Sequence, residues 1–406
     1  MADLKSAASP ALQAAWTKYY ASIEAGRRAM EATPRFIENP EHRADAYSSL
    51  IEAEAMAYNF AIAPRMDFPR VNTRSWYAYF HTLGGTSPDF YYGTLFLDGR
   101  RSYRLTGKIG ELKLLLFQVY SHLLGHPQSK MIADEDFDNF TANADGTFDV
   151  IISATKSGGN WIPLDPSSNY NFIFIRRAVS DWNDERGELH IELIDGPLDY
   201  DDRDEARLAE RLSAAADFLT YLVVKWNVGI YDLYLSKNDG VKNTLAVVPG
   251  SAIAKEFMGS PATIYTWGIY EIADDEALII ESDVPDAGYW SYQLMNVWCR
   301  PFDFVDLQND INMSRTQVDN DGKFRAVISL KDPGAANWMD PSGHKEGTIT
   351  GRAYHARAVP AQPKVSLVKL AELKKHLPPE TKFLTPEQRR KDLEYRRSSY
   401  WNLYKE

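Results

Sequence analysis

The feature that most constrains the fold of this 406-residue chain is an internal duplication. The segment Asp-Gly-Thr-Phe-Asp-Val-Ile-Ile-Ser at 145–153 returns as Asp-Gly-Lys-Phe-Arg-Ala-Val-Ile-Ser at 321–329. Three more matched pairs keep the same order along the chain: Phe117-Gln118-Val119 with Tyr292-Gln293-Leu294, Gly159-Asn160-Trp161 with Ala336-Asn337-Trp338, and Arg176 with Arg352. The members of each pair lie 175 to 177 residues apart, whereas solenoid repeats have periods of about 20–50 residues. The sequence therefore predicts two copies of one module rather than a solenoid.

Short alternating or apolar runs, broken by Gly, Asp, Asn and Pro, make each module β-rich. An Asp-Gly pair before an alternating run is a hairpin signal, so we expect hairpin turns at 145–146 and 321–322. Helical patterns include residues 204–226 and a capping-box signature at Thr385 and Gln388. We predict a β-rich α+β fold, in which two duplicated β-sandwich or jelly-roll-like modules are flanked by N-terminal, middle and C-terminal helices. The expected regions are an N-terminal helical region (1–75), a first β-module (76–200), a helical connector (201–260), a second β-module (261–360) and a C-terminal helical tail (361–406).

Composition narrows the class of function. The net charge of −11 is unlike that of a nucleic-acid-binding protein, and no apolar run approaches the ~18 residues of a membrane span. No signal-peptide pattern is present, and the single cysteine, Cys299, fits a reducing cytoplasm without a disulfide framework. Ten Trp, 23 Tyr and 18 Phe make aromatic side chains 13% of the chain. We therefore expect a cytoplasmic protein whose partner is a hydrophobic aromatic small molecule, not a nucleic acid or a membrane.

Motifs for metals and cofactors are weak or missing. His122 and His126 are four residues apart, but no glutamate lies between them and Pro127 follows, which favours a strand that runs into a loop. The sequence has no Gly-x-Gly-x-x-Gly motif, no Walker loop and no Gly-x-Ser-x-Gly elbow. Arg300 beside Cys299 is a feature of activated thiols, although a buried, inert thiol is the more common state. We therefore expect neither a metal site nor a cofactor.

The duplication separates matched residues from unmatched ones. Matched residues are expected to serve the fold, so the repeated Asn-Trp predicts a turn-holding Asn and a Trp that plugs the end of a sheet. Unmatched rings are candidates for a site, namely Tyr91, Tyr92 and the alternating run 289–298. One face of that run is aromatic with a single amide, and it either lines a pocket for a flat apolar ligand or packs the interior of the sandwich. The unmatched polar cluster 309–315 favours a site in the second module, although loop polarity alone also explains it.

A set of short motifs between residues 80 and 355 carries a family resemblance. They are Gly84-Gly85 to Tyr92, Tyr103-Arg104-Leu105-Thr106-Gly107, Phe117-Gln118-Val119-Tyr120, Gly159-Asn160-Trp161, Asp181-Trp182, Tyr289-Trp290 with Gln293-Leu294, Asn309, Asp321-Gly322, Pro333-Gly334 with Asn337-Trp338, Gly343-His344 and Gly347 to Arg352. With these motifs the sequence resembles the bacterial family catalogued as domain of unknown function 1214. The resemblance implies a β-sandwich or jelly-roll architecture. It also implies a link to catabolic enzymes of aromatic- and steroid-degrading bacteria, including cofactor-free removal of formaldehyde from lignin-derived aromatic dimers, but it supplies no catalytic residues.

The leading hypothesis is a cofactor-independent carbon–carbon lyase of aromatic-compound catabolism, which releases formaldehyde from a hydroxymethyl group of a lignin-derived aromatic dimer. Such a reaction needs a base near the hydroxyl, a pocket for two rings and a donor for the departing oxyanion. The candidate catalytic residues are Asp89 or His344 as the base and Tyr92, with Arg104 or Arg315, as anion stabilisers. The candidate substrate-binding residues are Tyr91, Asn296, Trp298 and Asn309.

Two other classes of function fit the same residues. One is a non-enzymatic protein that binds a small molecule or a partner on the duplicated modules. The other is a hydrolase or isomerase that acts on a steroid-like hydrophobic substrate. In each case we expect a homo-oligomer, because helical ends beside β-modules offer surfaces that cover edge strands.

Overall fold

The computed structural model describes residues 8–72, 84–196, 201, 203–253, 257 and 259–402. The α-helices in this part of the chain are α1 (Pro10–Glu31), α2 (Pro34–Glu38), α3 (Glu41–Ala57), α4 (Glu205–Thr220), α5 (Gly229–Lys237) and α6 (Pro386–Asn402). Two π-helical segments continue them, Tyr58–Ile62 after α3 and Tyr221–Val228 between α4 and α5. None of the described helices is long and apolar enough to cross a lipid bilayer.

Helix ends follow the capping residues of the sequence. The carboxylate of Asp204 accepts a hydrogen bond from the backbone N–H of Ala206 at 2.9 Å, which begins α4. The predicted helix 204–226 thus corresponds to α4 and most of the π-helical segment after it. At α6, the N–H of Thr385 donates to Gln388 Oε1 at 2.8 Å and the N–H of Gln388 donates to Thr385 Oγ1 at 3.2 Å. The predicted capping box is therefore confirmed.

The first module is built from eight described strands. They are β1 (Phe90–Leu97), β2 (Tyr103–Lys108), β3 (Leu114–Tyr120), β4 (Met131–Asp136), β5 (Thr147–Ser153), β6 (Trp161–Pro163), β7 (Asn171–Ala178) and β8 (Glu188–Leu193). They form an inner sheet of order β1-β7-β3-β4 and an outer sheet of order β6-β5-β2-β8. Every residue of β1, β3 and β7 is buried, because the inner sheet is covered on both faces.

The second module repeats this arrangement with nine described strands. They are β9 (Ala246–Pro249), β10 (Thr263–Glu271), β11 (Glu276–Asp283), β12 (Tyr289–Met295), β13 (Asp310–Asn312), β14 (Lys323–Ile328), β15 (Trp338–Met339), β16 (Glu346–Tyr354) and β17 (Lys364–Lys369). The inner sheet has the order β9-β10-β16-β12-β13 and the outer sheet has the order β15-β14-β11-β17. Strands β10 to β17 take the places of β1 to β8, and β9 is an addition at one edge. The prediction of two copies of one β-module beside helices is confirmed.

Tight turns lie at both predicted positions, 145–146 and 321–322. In each turn the glycine has a positive φ, and its N–H donates to the carbonyl three residues before it, at 2.9 and 3.0 Å. The chain also pairs across each turn, because the N–H of Asn143 donates to the carbonyl of Thr147 and that of Asp319 to the carbonyl of Lys323, both at 2.8 Å. The pairing does not extend to the long strands, since β4 and β5 belong to different sheets, as do β13 and β14. In the second module an isolated bridge pairs Val318 with Phe324 across the turn. The turns therefore carry the chain from the inner sheet to the outer sheet.

The packing consists of a sandwich core in each module and a shared core between the modules. Phe117 and Phe148 lie between the sheets of the first module, and Trp290 and Phe324 stack at 5.1 Å between those of the second. The opposite faces of both inner sheets pack against α1, α3, α4 and α5 in the shared core. This central core is where the two modules meet.

The repeated Asn-Trp serves the fold, as the sequence predicts. The side-chain N–H groups of Asn160 donate to two backbone carbonyls at 2.8 and 3.0 Å, and those of Asn337 donate to the equivalent two at 2.7 and 3.1 Å. The indole N–H of Trp161 and that of Trp338 each donate to a serine carbonyl near the end of the neighbouring strand, at 3.1 and 2.9 Å. These bonds satisfy backbone groups that the sheets leave unpaired.

Candidate functional site

A cavity of about 60 Å³ lies in the shared core between the two inner sheets, and we call it the central cavity. Both modules and the helices between them contribute to its wall. The residues that shape it chemically are Gly85, Tyr92, Phe174, Arg176, Trp226, Tyr234, Tyr265, Trp267, Cys299, Thr350, Arg352 and Tyr354. A wall of rings around a few polar groups is typical of a small-molecule site.

Two matched arginines line the central cavity. Arg176 on β7 and Arg352 on β16 occupy equivalent positions in the two inner sheets. Each lies directly opposite a tyrosine of the neighbouring strand, Arg176 opposite Tyr92 and Arg352 opposite Tyr265. The duplication has therefore placed the same Tyr-Arg pair on both sides of the cavity.

Matched glutamines hold these arginines and tie the modules together. The two guanidinium groups donate through Nη1 to Gln118 Oε1 at 2.9 Å and to Gln293 Oε1 at 2.5 Å, respectively. The amide of Gln118 donates to the carbonyl of Gly259 at 3.1 Å, and that of Gln293 donates to the carbonyl of Thr86 at 2.8 Å. Gly259 lies shortly before β10 and Thr86 shortly before β1. Each glutamine therefore crosses to the segment that leads into the equivalent inner strand of the other module.

The backbone comes unusually close to Arg352 at Gly85. Nη2 of Arg352 donates to the Gly85 carbonyl. Gly85 has a φ of +67°, and a Cβ added there would lie 3.2 Å from Cys299 Sγ and 3.8 Å from Arg352 Nη2. Glycine is suited to this position because of both the backbone conformation and the close packing.

The central cavity is electropositive at neutral pH. Burial alone would lower the pKa of Arg352, but the neighbouring tyrosines, Tyr92 first among them, raise it overall, so the guanidinium stays charged. Burial raises the pKa of Tyr92 and that of Cys299 to about 12. Burial also raises the pKa of Tyr234 and Tyr265. The cavity therefore presents a cation beside neutral phenols and a protonated thiol.

Two indole N–H groups on the wall have no acceptor in the described part of the chain. Nε1 of Trp226 and Nε1 of Trp267 are buried and lack a hydrogen-bond partner among the described residues. The Trp267 ring stacks on Tyr234 with ring centroids 4.6 Å apart. A buried donor without a partner costs free energy, which an acceptor on a bound molecule would recover. The described lining thus offers cations and donors but no carboxylate or imidazole.

Of the nine predicted site residues, Tyr92 is the one that the structure places in the described lining of the central cavity. Its hydroxyl accepts a hydrogen bond from the N–H of Ser87 at 3.1 Å, and its ring stacks on Phe174 at 5.1 Å. The other eight lie in separate places, so the structure does not gather the predicted set around one cavity.

Asp89 lies in a buried hydrogen-bond network that joins β1 to the second module. Its carboxylate is almost fully buried, with 1% exposure. It accepts four hydrogen bonds, from Trp182 Nε1 at 2.9 Å, Tyr289 Oη at 2.6 Å, Asn312 Nδ2 at 2.9 Å and Arg315 Nη2 at 2.8 Å. Four donors around one carboxylate are the pattern of a structural ion pair, and they leave little room for a substrate proton.

Arg315 belongs to the same network and extends it. Its Nη2 also donates to Asp310 Oδ2 at 2.5 Å, and Arg396 on α6 donates to the other oxygen of Asp310. Both guanidinium groups lie over the ring of Trp182, at 4.9 Å and 4.5 Å from its centroid. We call Asp310, Arg315 and Arg396 the Asp310 cluster. It fastens the C-terminal helix to the second module.

His344, Asn296 and Trp298 lie near the N-terminal helices. His344 Nε2 is 2.8 Å from Asp45 Oδ2, and although burial lowers the pKa of His344, this carboxylate raises it overall. Asn296 Oδ1 accepts from the N–H of Trp298 at 2.9 Å. The indole N–H of Trp298 donates to the carbonyl of His42 at 2.8 Å. The bonds of Asn296 and Trp298 hold the loop that places Cys299 in the cavity wall.

The remaining candidates have contacts outside the cavity. Arg104 is half-exposed on the outer sheet of the first module, where it pairs with Asp149 at 3.2 Å. Nδ2 of Asn309 donates to the carbonyl of Asp303 at 2.8 Å. Tyr91 packs with Trp182 in a small buried cluster, and two arginines lie 5.7 Å from its ring centre.

One group of described side chains has the geometry to hold a metal ion. Asp136, Asp138 and His355 place one ligand atom each within 4.8 Å of one another, and His355 Nε2 is 2.5 Å from Asp136 Oδ2. His122 and His126 stack with ring centroids 4.3 Å apart, without a third ligand in the part of the chain that the structure describes. Neither group lines the central cavity.

The residues that the sequence analysis missed are the matched ones. Arg176, Arg352, Gln118 and Gln293 are all visible as repeated residues. They are interpreted above as serving the fold. The structure places Arg176 and Arg352 in the cavity wall, and Gln118 and Gln293 hydrogen-bond to them. The sequence does not show that the two modules face each other across one cavity, to which each copy contributes the same residue.

Comparison with protein families explains the duplication. The family model described as protein of unknown function (DUF1214) matches this chain twice, at residues 95–178 and 274–358. The two β-modules are therefore two copies of this domain, and the family resemblance read from the sequence motifs is confirmed.

One solved structure shares the fold without adding an activity, and a second is only distantly similar. An uncharacterised protein from Burkholderia cenocepacia has a TM-score of 0.78 at 25% identity, covering 88% of this chain and 97% of that chain. The VPA0106 protein from Vibrio parahaemolyticus has a TM-score of 0.46 at 11% identity, covering 79% of this chain and 98% of that chain. The comparison with curated proteins found no match.

Proposed function

We propose that this protein binds a small organic anion in the central cavity, with the anionic group held by Arg176 and Arg352. The observation that carries the proposal is Arg352, a buried guanidinium on the cavity wall that makes no ion pair with a described carboxylate. A buried charge is costly unless a counter-ion accompanies it, and a ligand carboxylate would supply one. Both guanidinium groups act electrostatically on the same two phenols, Tyr92 and Tyr265, so they share one site.

The rest of the wall suits the same ligand. The planar guanidinium fork matches the two oxygens of a carboxylate, and the unpartnered indole N–H groups of Trp226 and Trp267 are further donors. At about 60 Å³ the cavity is well below the ~300 Å³ or more of pockets that hold drug-sized ligands. This size favours a short-chain carboxylate, and a ligand with two rings requires the wall to move.

Calorimetric titration with acetate and with butanoate tests the proposal. We expect Arg352→Met to weaken binding by roughly tenfold or more, because it removes a charge-assisted hydrogen bond. Arg357→Met is the matched control, since Arg357 is an exposed arginine five residues further along that pairs with Asp286. Equal affinity in Arg352→Met and wild type, or no binding of either acid to wild type, would contradict the proposal.

A second candidate function is the formaldehyde-releasing lyase predicted from the sequence. It is supported by the neutral phenols of Tyr234 and Tyr265 beside a guanidinium, since these donors would stabilise an oxyanion. In the reaction, the hydroxymethyl O–H loses its proton, the adjacent C–C bond breaks and formaldehyde leaves. The electron pair stays on the substrate carbon, which then takes up a proton. The described lining has no proton acceptor for the first step, so this activity needs a base from beside the cavity.

Incubation with phenolic dimers that carry a hydroxymethyl group, followed by a formaldehyde assay, tests the lyase. Turnover that is lost in Arg352→Met but kept in Arg357→Met would place the reaction in the central cavity. Absence of formaldehyde with every dimer would count against a lyase and leave anion binding as the function.

A homo-oligomer is also part of the proposal. Trp16 and Tyr20 on α1 are 55% and 52% exposed, and large exposed rings are typical of surfaces that pair with another protein. Sedimentation velocity is the direct measurement, and a monomer at all concentrations would contradict an oligomer.

A further inference from the structure

Asp134 lies on β4, directly opposite Gln118 on β3, so both side chains are on the face of the inner sheet that is turned to the shared core. Its Oδ2 accepts a hydrogen bond from Ser260 Oγ at 3.3 Å, and Ser260 follows Gly259 of the cavity wall. Its Oδ1 is buried and has no hydrogen-bond partner among the described residues. Arg176, which lines the cavity, acts electrostatically on this carboxylate. Asp134 is therefore a half-satisfied acceptor whose partner, Ser260, adjoins the cavity wall at Gly259, although Asp134 itself lies outside the described lining.

A second half-satisfied group lies next to it. Tyr120 follows Gln118 by two residues on β3, so it is on the same face, and its side chain is 3% exposed. Its hydroxyl also lacks a partner among the described residues. Asp134, Arg176 and Tyr265 all act electrostatically on the phenol of Tyr120. The acceptor Asp134 and the hydroxyl of Tyr120 thus belong to one corner of the shared core.

The second module has no such corner. The residue equivalent to Tyr120 is Met295, which has no hydroxyl. The residue equivalent to Asp134 is Asp310, which lies opposite Gln293 and is bound by two arginines of the Asp310 cluster. The two modules are therefore alike in their cavity arginines and different in the bonds of the carboxylate opposite each glutamine.

We propose that Asp134 and Tyr120 form a subsite that binds a hydroxyl group of the ligand, so that the ligand class is a hydroxy carboxylate. The inference rests on the proposed anion site: the ligand carboxylate is bound by the arginines, and its hydroxyl donates to Asp134 Oδ1. The hydroxyl of Tyr120 donates to the ligand oxygen. Each group that lacks a partner then gains one, which recovers the cost of burying it unpaired.

The test compares acids that differ by one hydroxyl: glycolate with acetate, and 4-hydroxybutanoate with butanoate. In the wild type we expect at least one hydroxy acid to bind roughly tenfold more tightly than its parent, as for one hydrogen bond to a charged acceptor. In Asp134→Ala the ratio of the two affinities should fall to about one, whereas the affinity for the parent acid persists. Glu135→Ala is the matched control, because Glu135 is the next residue on β4 and lies on the opposite face.

If Asp134→Ala does not fold, Tyr120→Phe is a second variant that tests the same subsite. This variant removes a hydroxyl that lacks a partner in the described structure, so we expect it to fold and to lower the same ratio. An unchanged ratio in Asp134→Ala or in Tyr120→Phe, with anion binding that still depends on Arg352, would overturn the subsite and leave the proposed anion site standing. Failure of the wild type to bind any of the four acids would overturn both.

Discussion

Asp134 and Asp310 occupy the same position in the two modules, opposite the glutamine that holds a cavity arginine. Asp310 is bound by Arg315 and by Arg396, and through Arg396 it fastens α6. Asp134 accepts one bond, from Ser260, and keeps one buried oxygen without a partner in the described structure. The two modules therefore share the Tyr-Arg pair of the cavity wall. They differ in the equivalent carboxylate, which binds two arginines in the second module and a single serine in the first.

The largest expected effect is a difference in stability between variants of these two carboxylates. Asp310→Asn leaves the buried guanidinium of Arg396 without its counter-charge and leaves Arg315 with Asp89 alone, so we expect it to lower the free energy of unfolding by about 3 kcal/mol or more. Asp134→Asn should leave that free energy unchanged or raise it at pH 7. Burial raises the pKa of Asp134, so its ionised form is disfavoured in the folded state, and the neutral amide removes this cost.

Urea unfolding followed by circular dichroism measures both variants at pH 7. A similar loss of unfolding free energy in the two variants would contradict this comparison, since it would show that Asp134 stabilises the fold as much as Asp310 does. The far-ultraviolet spectrum of each folded variant is the control for an altered fold.

The second contrast concerns the matched tryptophans. Trp338 is buried at 8% exposure, and Arg389 of α6 lies 5.4 Å from its ring centre, whereas Trp161 is partly exposed and has Lys156 Nζ 6.0 Å from its ring centre. We expect Trp338→Ala to cost about 3–5 kcal/mol, in the range of buried aromatic truncations, and Trp161→Ala to cost about half as much. Thermal unfolding of the two single variants measures the difference. Equal losses would mean that the covering by α6 adds nothing to the second copy.

The smallest effect concerns pH. His355 follows β16 of the second module and contacts Asp136 of the first, whereas the residue equivalent to Asp136 is Asn312, which donates to the Ser180 carbonyl and does not titrate. The hydrogen bond to Asp136 raises the pKa of His355, and burial opposes it. For Asp136, burial raises the pKa, but the bond to His355 lowers it overall.

The direction of the pH effect follows from these shifts. The His355 contribution is complete below the ordinary His pKa of ~6.5 and is lost as pH rises through the raised value. The Asp136 contribution is present above the ordinary Asp pKa of ~3.9 and is lost as pH falls through the lowered value. We therefore expect His355→Asn to lower the free energy of unfolding by about 1 kcal/mol at pH 5.5 and by little at pH 9. A constant difference across this range would show that the contact is not an ion pair.

Much of the fold could be predicted from the sequence because the fold depends on local signals that occur twice. The Asp-Gly turns and the Asn-Trp pair act within a few residues or on one neighbouring strand, and both are confirmed. The separation of β4 and β5 into different sheets could not be predicted, because a turn signal does not state which sheet the preceding strand joins.

The candidate site was much less predictable. Tyr92 is adjacent to the cavity arginines by strand register, which the sequence does not state. Asp89 resembles a catalytic base in the sequence, yet it accepts a bond from Tyr289, 200 residues away. Asp134 stands in an ordinary acidic run, and its missing partner becomes visible only in three dimensions. Long-range pairing and side-chain satisfaction are properties of the packed molecule rather than of any local pattern.

The glutamine bonds that cross between the modules have an evolutionary consequence. Gln118 reaches the segment before β10 and Gln293 reaches the segment before β1, so each half contacts the other in the same way. Two identical copies of an ancestral single-module protein, related by a two-fold axis, would make both bonds and enclose the same cavity. The present chain has the arrangement of such a homodimer joined into one polypeptide. Fusion removes the requirement for identical halves, and Asp134 with Asp310 shows how far two descendants of one residue have diverged.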